Sequence, residues 1–200
     1  QPVGEFEDYV GMGGGFAGQV VYAPLLGGAL GVRLEGGFAT YGHESRRVCF
    51  SATVGCRVVL DLSTSNNIVF VQAGPRLMRP SGALRPYLDA TIGFSYFVTE
   101  SSLDDADGPG GDDIASTTNF DDVTFSGVFG GGVRMALPFT IPSQHGPVET
   151  ALELGVRYHR NGRVEYLREG DIEDLPDGSI VLHPTRSEAD FVSYLIGFSV

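Results

Sequence analysis

Large apolar residues alternate with small or polar residues along most of the 200-residue chain. Strands place successive side chains on opposite faces, so a period of two predicts β-strands. In 85–99, for example, Leu88, Ile92 and Phe94 alternate with Asp89 and Gly93. The same pattern predicts eight strands, at 9–24, 29–43, 47–63, 67–79, 85–99, 122–137, 148–160 and 188–200. No apolar stripe recurs at the helical period.

Residues typical of turns separate these predicted strands. They predict short connections at 24–28, 42–46, 63–67, 79–85 and 138–147. The other two connections, at about 100–121 and 161–187, are long and acidic, and in an up-and-down arrangement both leave from the same end. The pattern therefore predicts one all-β domain over 1–200, a closed antiparallel up-and-down β-barrel of about eight strands.

The two faces of the predicted strands differ in bulk, and this decides which one points inward. An eight-stranded barrel has an interior just wide enough for side chains to fill it. The large apolar set is too bulky for that space, whereas the opposite face is rich in Gly, Ala, Ser and Thr. We therefore expect an apolar outside and a small, polar and charged inside.

Charged residues of both signs lie on the small face. Buried charges have to be paired to offset the cost of desolvation, and arginine suits such pairing better than lysine. The predicted interior charge network consists of Arg33, Glu35, Arg57, Asp61, Asp89, Arg134, Glu149, Glu153 and Arg157. A salt-bridged plug is the favoured interpretation of this network, and a narrow ion path is the alternative.

Charge and hydropathy exclude two classes of protein. The formal net charge of −12, with no lysine in the chain, argues against a nucleic-acid partner. No stretch reaches the roughly 18 apolar residues of a membrane helix, a requirement that β-strands do not share. No signal peptide is visible, and the start at Gln1 and Pro2 suits a mature form from which a signal peptide has been removed.

The last strand adds a local feature to this pattern. Residues 191–200 read Phe-Val-Ser-Tyr-Leu-Ile-Gly-Phe-Ser-Val, with hydrophobic residues at alternate positions back from the terminus. Over nearly its whole length the chain resembles the small bacterial outer-membrane β-barrels of the OmpA-like and OmpX-like group. Its last strand looks like the C-terminal signal read by the barrel-assembly machinery. The resemblance implies the outer membrane as location, and the bilayer and that machinery as partners.

Cys49 and Cys56 are the only cysteines. A continuous strand would hold them roughly 23 Å apart, whereas a disulfide needs Cα atoms within about 7 Å. Either 46–56 is a loop closed by a disulfide, or it is strand and both thiols are free. An even cysteine count in an exported chain favours the disulfide, with the third strand then beginning near Arg57.

Two further groups of residues could carry chemistry. Calcium takes oxygen ligands from flexible loops, so one acidic run is a weak candidate site, although a solvated loop is the commoner explanation. The run contains Asp104, Asp105, Asp107, Asp112 and Asp113. His159 and His183 lie in or near the second acidic loop, but no spacing marks a nucleophile or a base. We therefore expect neither an enzyme nor a cofactor.

These observations favour a non-enzymatic outer-membrane barrel with a plugged interior. Its role would be structural, or one of surface interaction through acidic extracellular loops. A large exposed apolar face also marks protein interfaces. The alternative is therefore a secreted or surface barrel that joins copies of itself into an oligomer or filament. An outer-membrane enzyme and a narrow pore are weaker alternatives.

Overall fold

The structure is a computed structural model that describes residues 1–49, 59–105, 113–144, 146–167, 171–174 and 180–200. The main sheet consists of β1 (Gly14–Leu25), β2 (Leu30–Cys49), β3 (Val59–Met78), β4 (Leu84–Asp105), β5 (Asp113–Ile141), β6 (Val148–Asn161) and β11 (Phe191–Ser199). Four short strands lie between β6 and β11, namely β7 (Arg163–Tyr166), β8 (Ile172–Asp174), β9 (Ile180–Leu182) and β10 (Thr185–Glu188). Short 3₁₀ turns occur at Gly4–Phe6 and Leu26–Gly28.

The main strands pair in the order in which they occur along the chain, and every pair is antiparallel. The sheet is curled into an open half-barrel, so the predicted all-β antiparallel class is confirmed. With seven strands of alternating direction, β1 and β11 run the same way. Among the described residues these two edge strands do not pair with each other. Only Pro2 forms a bridge with Phe191 on the open side of β11.

The two faces of the sheet have opposite character. On the convex face, large apolar side chains are exposed, including Phe16 in β1, Ile92 in β4 and Ile196 in β11. On the concave face, Arg33, Asp89 and other polar side chains are buried. Buried polar and exposed apolar side chains are the reverse of the distribution in an ordinary soluble protein. This distribution follows from the period-two pattern, because the large apolar side chains of each strand lie on the convex face.

One division of the chain into strands was wrong. The predicted turns 42–46 and 63–67 lie within β2 and β3, which continue to Cys49 and from Val59. Of the predicted strand 47–63, the described residues 47–49 belong to β2 and 59–63 belong to β3, which also contains most of the predicted strand 67–79. Polar residues that suggested turns pair with each other across the ladder, as Glu44 does with Thr64. The Thr40 hydroxyl also donates to Asn67 Oδ1 at 2.8 Å.

The two long predicted loops also contain strand. β4 continues to Asp105 and β5 begins at Asp113, so most of 100–121 is paired backbone. The region 161–187 holds β7 paired with β10 and β8 paired with β9. Alternation is weak in these acidic stretches, and pairing with a neighbouring strand decides their conformation.

The concave side is narrow, and glycines make room in it. Gly132 in β5 and Gly155 in β6 lie opposite each other. A Cβ on either would approach the Tyr87 hydroxyl oxygen to 2.7 or 2.5 Å. The absence of side chains at these two positions therefore admits the Tyr87 phenol from β4.

An apolar cluster covers the concave side at the level where β6 finishes. Phe6, from the 3₁₀ turn Gly4–Phe6, packs its ring 5.5 Å from Tyr41, 6.2 Å from Phe97 and 5.3 Å from Tyr166. The remaining members are Ile68, Phe70, Val164 and Ala189, with Val10 and Phe191 packed against them. Aromatic pairs at these separations stabilise one another beyond simple area burial. The N-terminal segment and β7 thus cover this part of the concave side, and β2 to β5 continue beyond it.

Candidate functional site

A layer of ion pairs crosses the middle of the concave side. It consists of three arginines and three carboxylates, Arg33, Arg76, Arg157, Glu35, Asp89 and Glu153, and we call it the ion-pair layer. Its members come from β2, β3, β4 and β6, and each is at most 5% exposed. Equal numbers of positive and negative groups make the layer formally neutral.

Asp89 is the acceptor at the centre of this layer. Arg76, its direct neighbour across the β3–β4 ladder, donates through Nε to Oδ1 at 2.7 Å and through Nη2 to Oδ2 at 2.9 Å. Arg33 from β2 donates through Nη1 to Oδ2 at 3.2 Å. A carboxylate that accepts from a guanidinium fork is held both by charge and by geometry.

Other bonds of the layer join strands that are not neighbours in the sheet. Arg157 in β6 donates to Glu35 Oε1 in β2 at 2.7 Å. Arg76 in β3 donates to Glu153 Oε1 in β6 at 2.9 Å. Arg33 and Glu35, both in β2, are also in ionic contact. The two bonds to β6 span the concave side and hold the curled strands against one another.

Two uncharged side chains complete the layer. Gln19 in β1 accepts from Arg33 Nε at 2.8 Å through its carbonyl oxygen, and its amide donates to Glu153 Oε2 at 3.0 Å. The guanidinium carbon of Arg76 lies 4.1 Å from the centre of the Tyr87 ring, a cation–π contact. Gln19 thereby joins the edge strand β1 to β6.

The structure brings five of the nine predicted network residues together. These are Arg33, Glu35, Asp89, Glu153 and Arg157. Arg134 and Glu149 form a separate group near the short turns, where Arg85 Nη2 lies 2.7 Å and Arg134 Nη2 lies 3.9 Å from Glu149 carboxylate oxygens. Asp61 is in β3, but its side chain and the whole of Arg57 lie outside the described residues.

Arg76 and Gln19 were missed as members of the network. Arg76 lies in the predicted strand 67–79, whose two faces both carry apolar residues, so that its inward face could not be chosen. The reason is now visible, because Ile68 and Phe70 point inward to the apolar cluster. The sequence signal was present in Gln72, Gly74 and Arg76, which share one face at a spacing of two.

Uncharged polar side chains fill the space between the ion-pair layer and the apolar cluster. Gln72 donates to Ser126 at 3.3 Å and accepts from Thr91 at 3.2 Å. Ser95 donates to Asn161 at 2.9 Å. The concave side is thus filled in three successive layers, ionic, uncharged polar and apolar.

His159 belongs to this filled interior. Its Nε2 lies 2.9 Å from Ser193 Oγ, and its ring stacks on Phe191 with centroids 4.1 Å apart. The side chain is 2% exposed, so these neighbours enclose it. His183 donates its backbone N–H to Asp171 and does not join this group. The structure therefore does not bring the two histidines together.

The predicted calcium loop and the predicted disulfide lie outside what the structure describes. Asp104, Asp105 and Asp113 border residues 106–112, and Cys49 borders 50–58, which contain Cys56. Within the described residues, no group of three His, Cys, Asp or Glu side chains is arranged to hold a metal ion. In the same residues, no helix has the length and apolar character needed to cross a bilayer.

Comparison with known proteins finds no match for this chain. A scan against protein-family models gives no match to the chain. Searches of curated proteins and of solved structures also give none. The arrangement itself fits a structural task, because its charged groups are already paired with one another and enclosed.

Proposed function

We propose that this protein is a non-enzymatic β-barrel of the bacterial outer membrane, in which eight strands close around a plugged polar interior. Its role is structural, or one of surface interaction through the acidic segments at the end opposite the short turns. The bilayer is its main partner, and the barrel-assembly machinery inserts it. The ion-pair layer fixes the barrel from within.

One observation carries the proposal, namely the inverted distribution of side chains. Phe16, Ile196 and Phe198 are each more than 75% exposed on the convex face, while Arg33 and Arg157 are at most 1% exposed on the concave face. Apolar side chains on the outer face of a barrel are favourable in contact with lipid, whereas in water their exposure destabilises the folded protein. A soluble monomer rarely exposes so large an apolar surface.

The filled interior supports a plug rather than a pore. The ion-pair layer, the uncharged polar layer and the apolar cluster follow one another along the same axis. Eight-stranded barrels have room for side chains but not for a water column. We therefore expect planar bilayers containing the protein to show no unitary conductance above that of empty bilayers.

The test is to locate the protein in a Gram-negative host that exports it. Membranes are separated by density, extracted with detergent, and run unheated and heated on gels. We expect recovery from the outer-membrane fraction only after detergent extraction, with faster migration of the unheated, folded form. A soluble periplasmic or secreted protein would contradict the proposal.

The same preparation distinguishes the alternative of self-assembly. The pellet obtained without detergent is imaged by electron microscopy, with an empty-vector membrane preparation as control. Ordered polymers free of lipid would mean that the apolar convex face is an interface between copies of the chain. Monomers in detergent, and no polymers without it, are the result that we expect.

A further inference from the structure

The curled sheet has two unpaired edges that face the same gap. Within the described residues β1 pairs only with β2, and β11 pairs only with β6 apart from its bridge at Phe191. Because β1 and β11 run in the same direction, pairing them directly would make one parallel ladder in an otherwise antiparallel sheet. A single strand placed between them and running the opposite way would keep every ladder antiparallel.

The first residues of the chain already occupy one end of this gap. Pro2 forms an antiparallel bridge with Phe191, the Val3 N–H donates to the Asp190 carbonyl at 3.0 Å, and the Val192 N–H donates to the Gln1 carbonyl at 2.8 Å. Pro2 is buried on the concave side and Gln1 is exposed, as the pleat of a continuing strand requires. Residues 1–3 therefore form the end of an antiparallel strand on the free edge of β11.

We propose that the gap takes an eighth strand from the stretch of natural chain that leads directly into Gln1, pairing antiparallel with both β11 and β1. This inference rests on the proposed function, because in lipid an unpaired strand edge is too costly to persist. The segment from Gly4 to Gly13 then connects the eighth strand to β1 and carries Phe6 into the apolar cluster. The eighth strand then begins on the side of the short turns, where β11 finishes, and ends beside Phe191.

The register at Phe191 determines the sequence pattern of this strand. Residues directly opposite each other in an antiparallel pair share a face. The residue directly before Gln1 lies opposite Ser193, and the residue before that lies opposite Tyr194, counting on from the Pro2–Phe191 bridge. The second, fourth and sixth residues before Gln1 therefore face outward beside Tyr194, Ile196 and Phe198, and are apolar. The residues between them face inward and are small or polar.

The first experiment is N-terminal sequencing of the mature protein isolated from its natural source. A membrane-spanning strand needs about ten residues. Because residues 1–3 already supply three of these, we expect the mature chain to begin at least about seven residues before Gln1 and to alternate as described. This start replaces the one at Gln1 that the sequence suggested. A mature chain that begins at Gln1, or a preceding stretch that breaks the alternation, would overturn the proposal.

The second experiment tests the pairing itself in the natural-length protein. With Cys49→Ala and Cys56→Ala as background, Ser193→Cys is combined with a cysteine directly before Gln1, and the folded protein is oxidised in detergent. We expect an intramolecular disulfide, because opposite Cα atoms in such a pair lie within bonding range. The control places the second cysteine three residues before Gln1, opposite Leu195, and cross-links several-fold less.

The outcomes separate the eighth strand from the membrane assignment. A disulfide between two chains would mean that a second copy fills the gap, and absence of any disulfide would mean that the strand is not there; either result overturns the proposal. The cross-link is scored on folded protein whatever cell fraction yielded it. If the protein is soluble and cross-linked, the outer-membrane function is wrong and the eighth strand is correct. If the protein is in the membrane and does not cross-link, the eighth strand is wrong and the outer-membrane function stands.

Discussion

At the scale of single residues, we expect substitution of the buried arginines to reduce the stability of the fold most. Arg76 bonds to Asp89 and Glu153 and also reaches Gln19 Oε1 at 3.2 Å. Removing one partner of a buried ion pair leaves an uncompensated charge, whereas removing an exposed charge costs little. The contribution of the ion-pair layer to stability can therefore be measured by substituting one buried and one exposed arginine near the end of β3 and comparing the free energies of unfolding.

For Arg76→Met we expect a loss of about 3–5 kcal/mol in the free energy of unfolding, because Asp89 and Glu153 remain buried with fewer partners. Denaturant unfolding in detergent micelles, followed by gel migration and circular dichroism, measures it. Arg79→Met is the matched control, since Arg79 is exposed, and should change stability by less than about 0.5 kcal/mol. Equal effects in the two variants would mean that water reaches the layer.

The pair formed by Arg157 and Glu35 is suited to a double-mutant cycle. We expect Arg157→Met and Glu35→Gln to be coupled by about 1–3 kcal/mol in unfolding, because both groups are buried and in contact. Arg186 and Glu165, 4.0 Å apart and exposed, give the control cycle, with coupling of about 0–1 kcal/mol. Similar coupling in both cycles would argue against a dry interior.

At the scale of elements, the 3₁₀ turn Gly4–Phe6 matters through a single side chain. Phe6 is 1% exposed among three aromatic rings. We expect Phe6→Ala to lower the free energy of unfolding by about 3–5 kcal/mol, because truncation leaves a cavity in the apolar cluster. Phe139→Ala is the control, since Phe139 is 55% exposed. It should cost less than half as much in the same denaturant assay.

The strands themselves could be predicted wherever one face is uniformly bulky. In β4, Leu88, Ile92 and Phe94 face outward as predicted, and Asp89 faces inward. The prediction failed between 42 and 67, because the polar residues there resemble those of turns. Their conformation depends on the neighbouring strand, as the Thr40–Asn67 hydrogen bond illustrates. The local sequence pattern does not show which strand from a distant part of the chain will pair with these residues.

The sequence predicted most members of the candidate site but not which of them pair with one another. Alternation on the small face identified Arg33, Glu35, Asp89, Glu153 and Arg157. It did not show that Asp89 lies at the centre, because the Arg33–Asp89 bond depends on the curl of the sheet. The mixed faces of β3 hid Arg76, since two layers of different polarity lie along the same strand.

At the scale of the whole molecule, the convex face should respond to charge according to depth in the bilayer. We expect Ile92→Arg, in the middle of β4, to make folding into lipid vesicles less favourable by about 2–4 kcal/mol. Leu84→Arg, at the end of β4 beside a short turn, should cost about 0–1 kcal/mol. Equal costs at the two positions would show that this face does not cross a bilayer.

The ion-pair layer also constrains the order in which the molecule can form. Glu35 and Arg157 are 122 positions apart, and Arg76 and Glu153 are 77 apart. Contacts between such distant residues require the intervening strands to be in place first. Until β6 lies opposite β2 and β3, Glu153 and Arg157 lack these partners and need water for solvation. The interior can therefore lose its water only when the sheet has curled, so that pairing of the charges of β6 and completion of the curved shape are one late event.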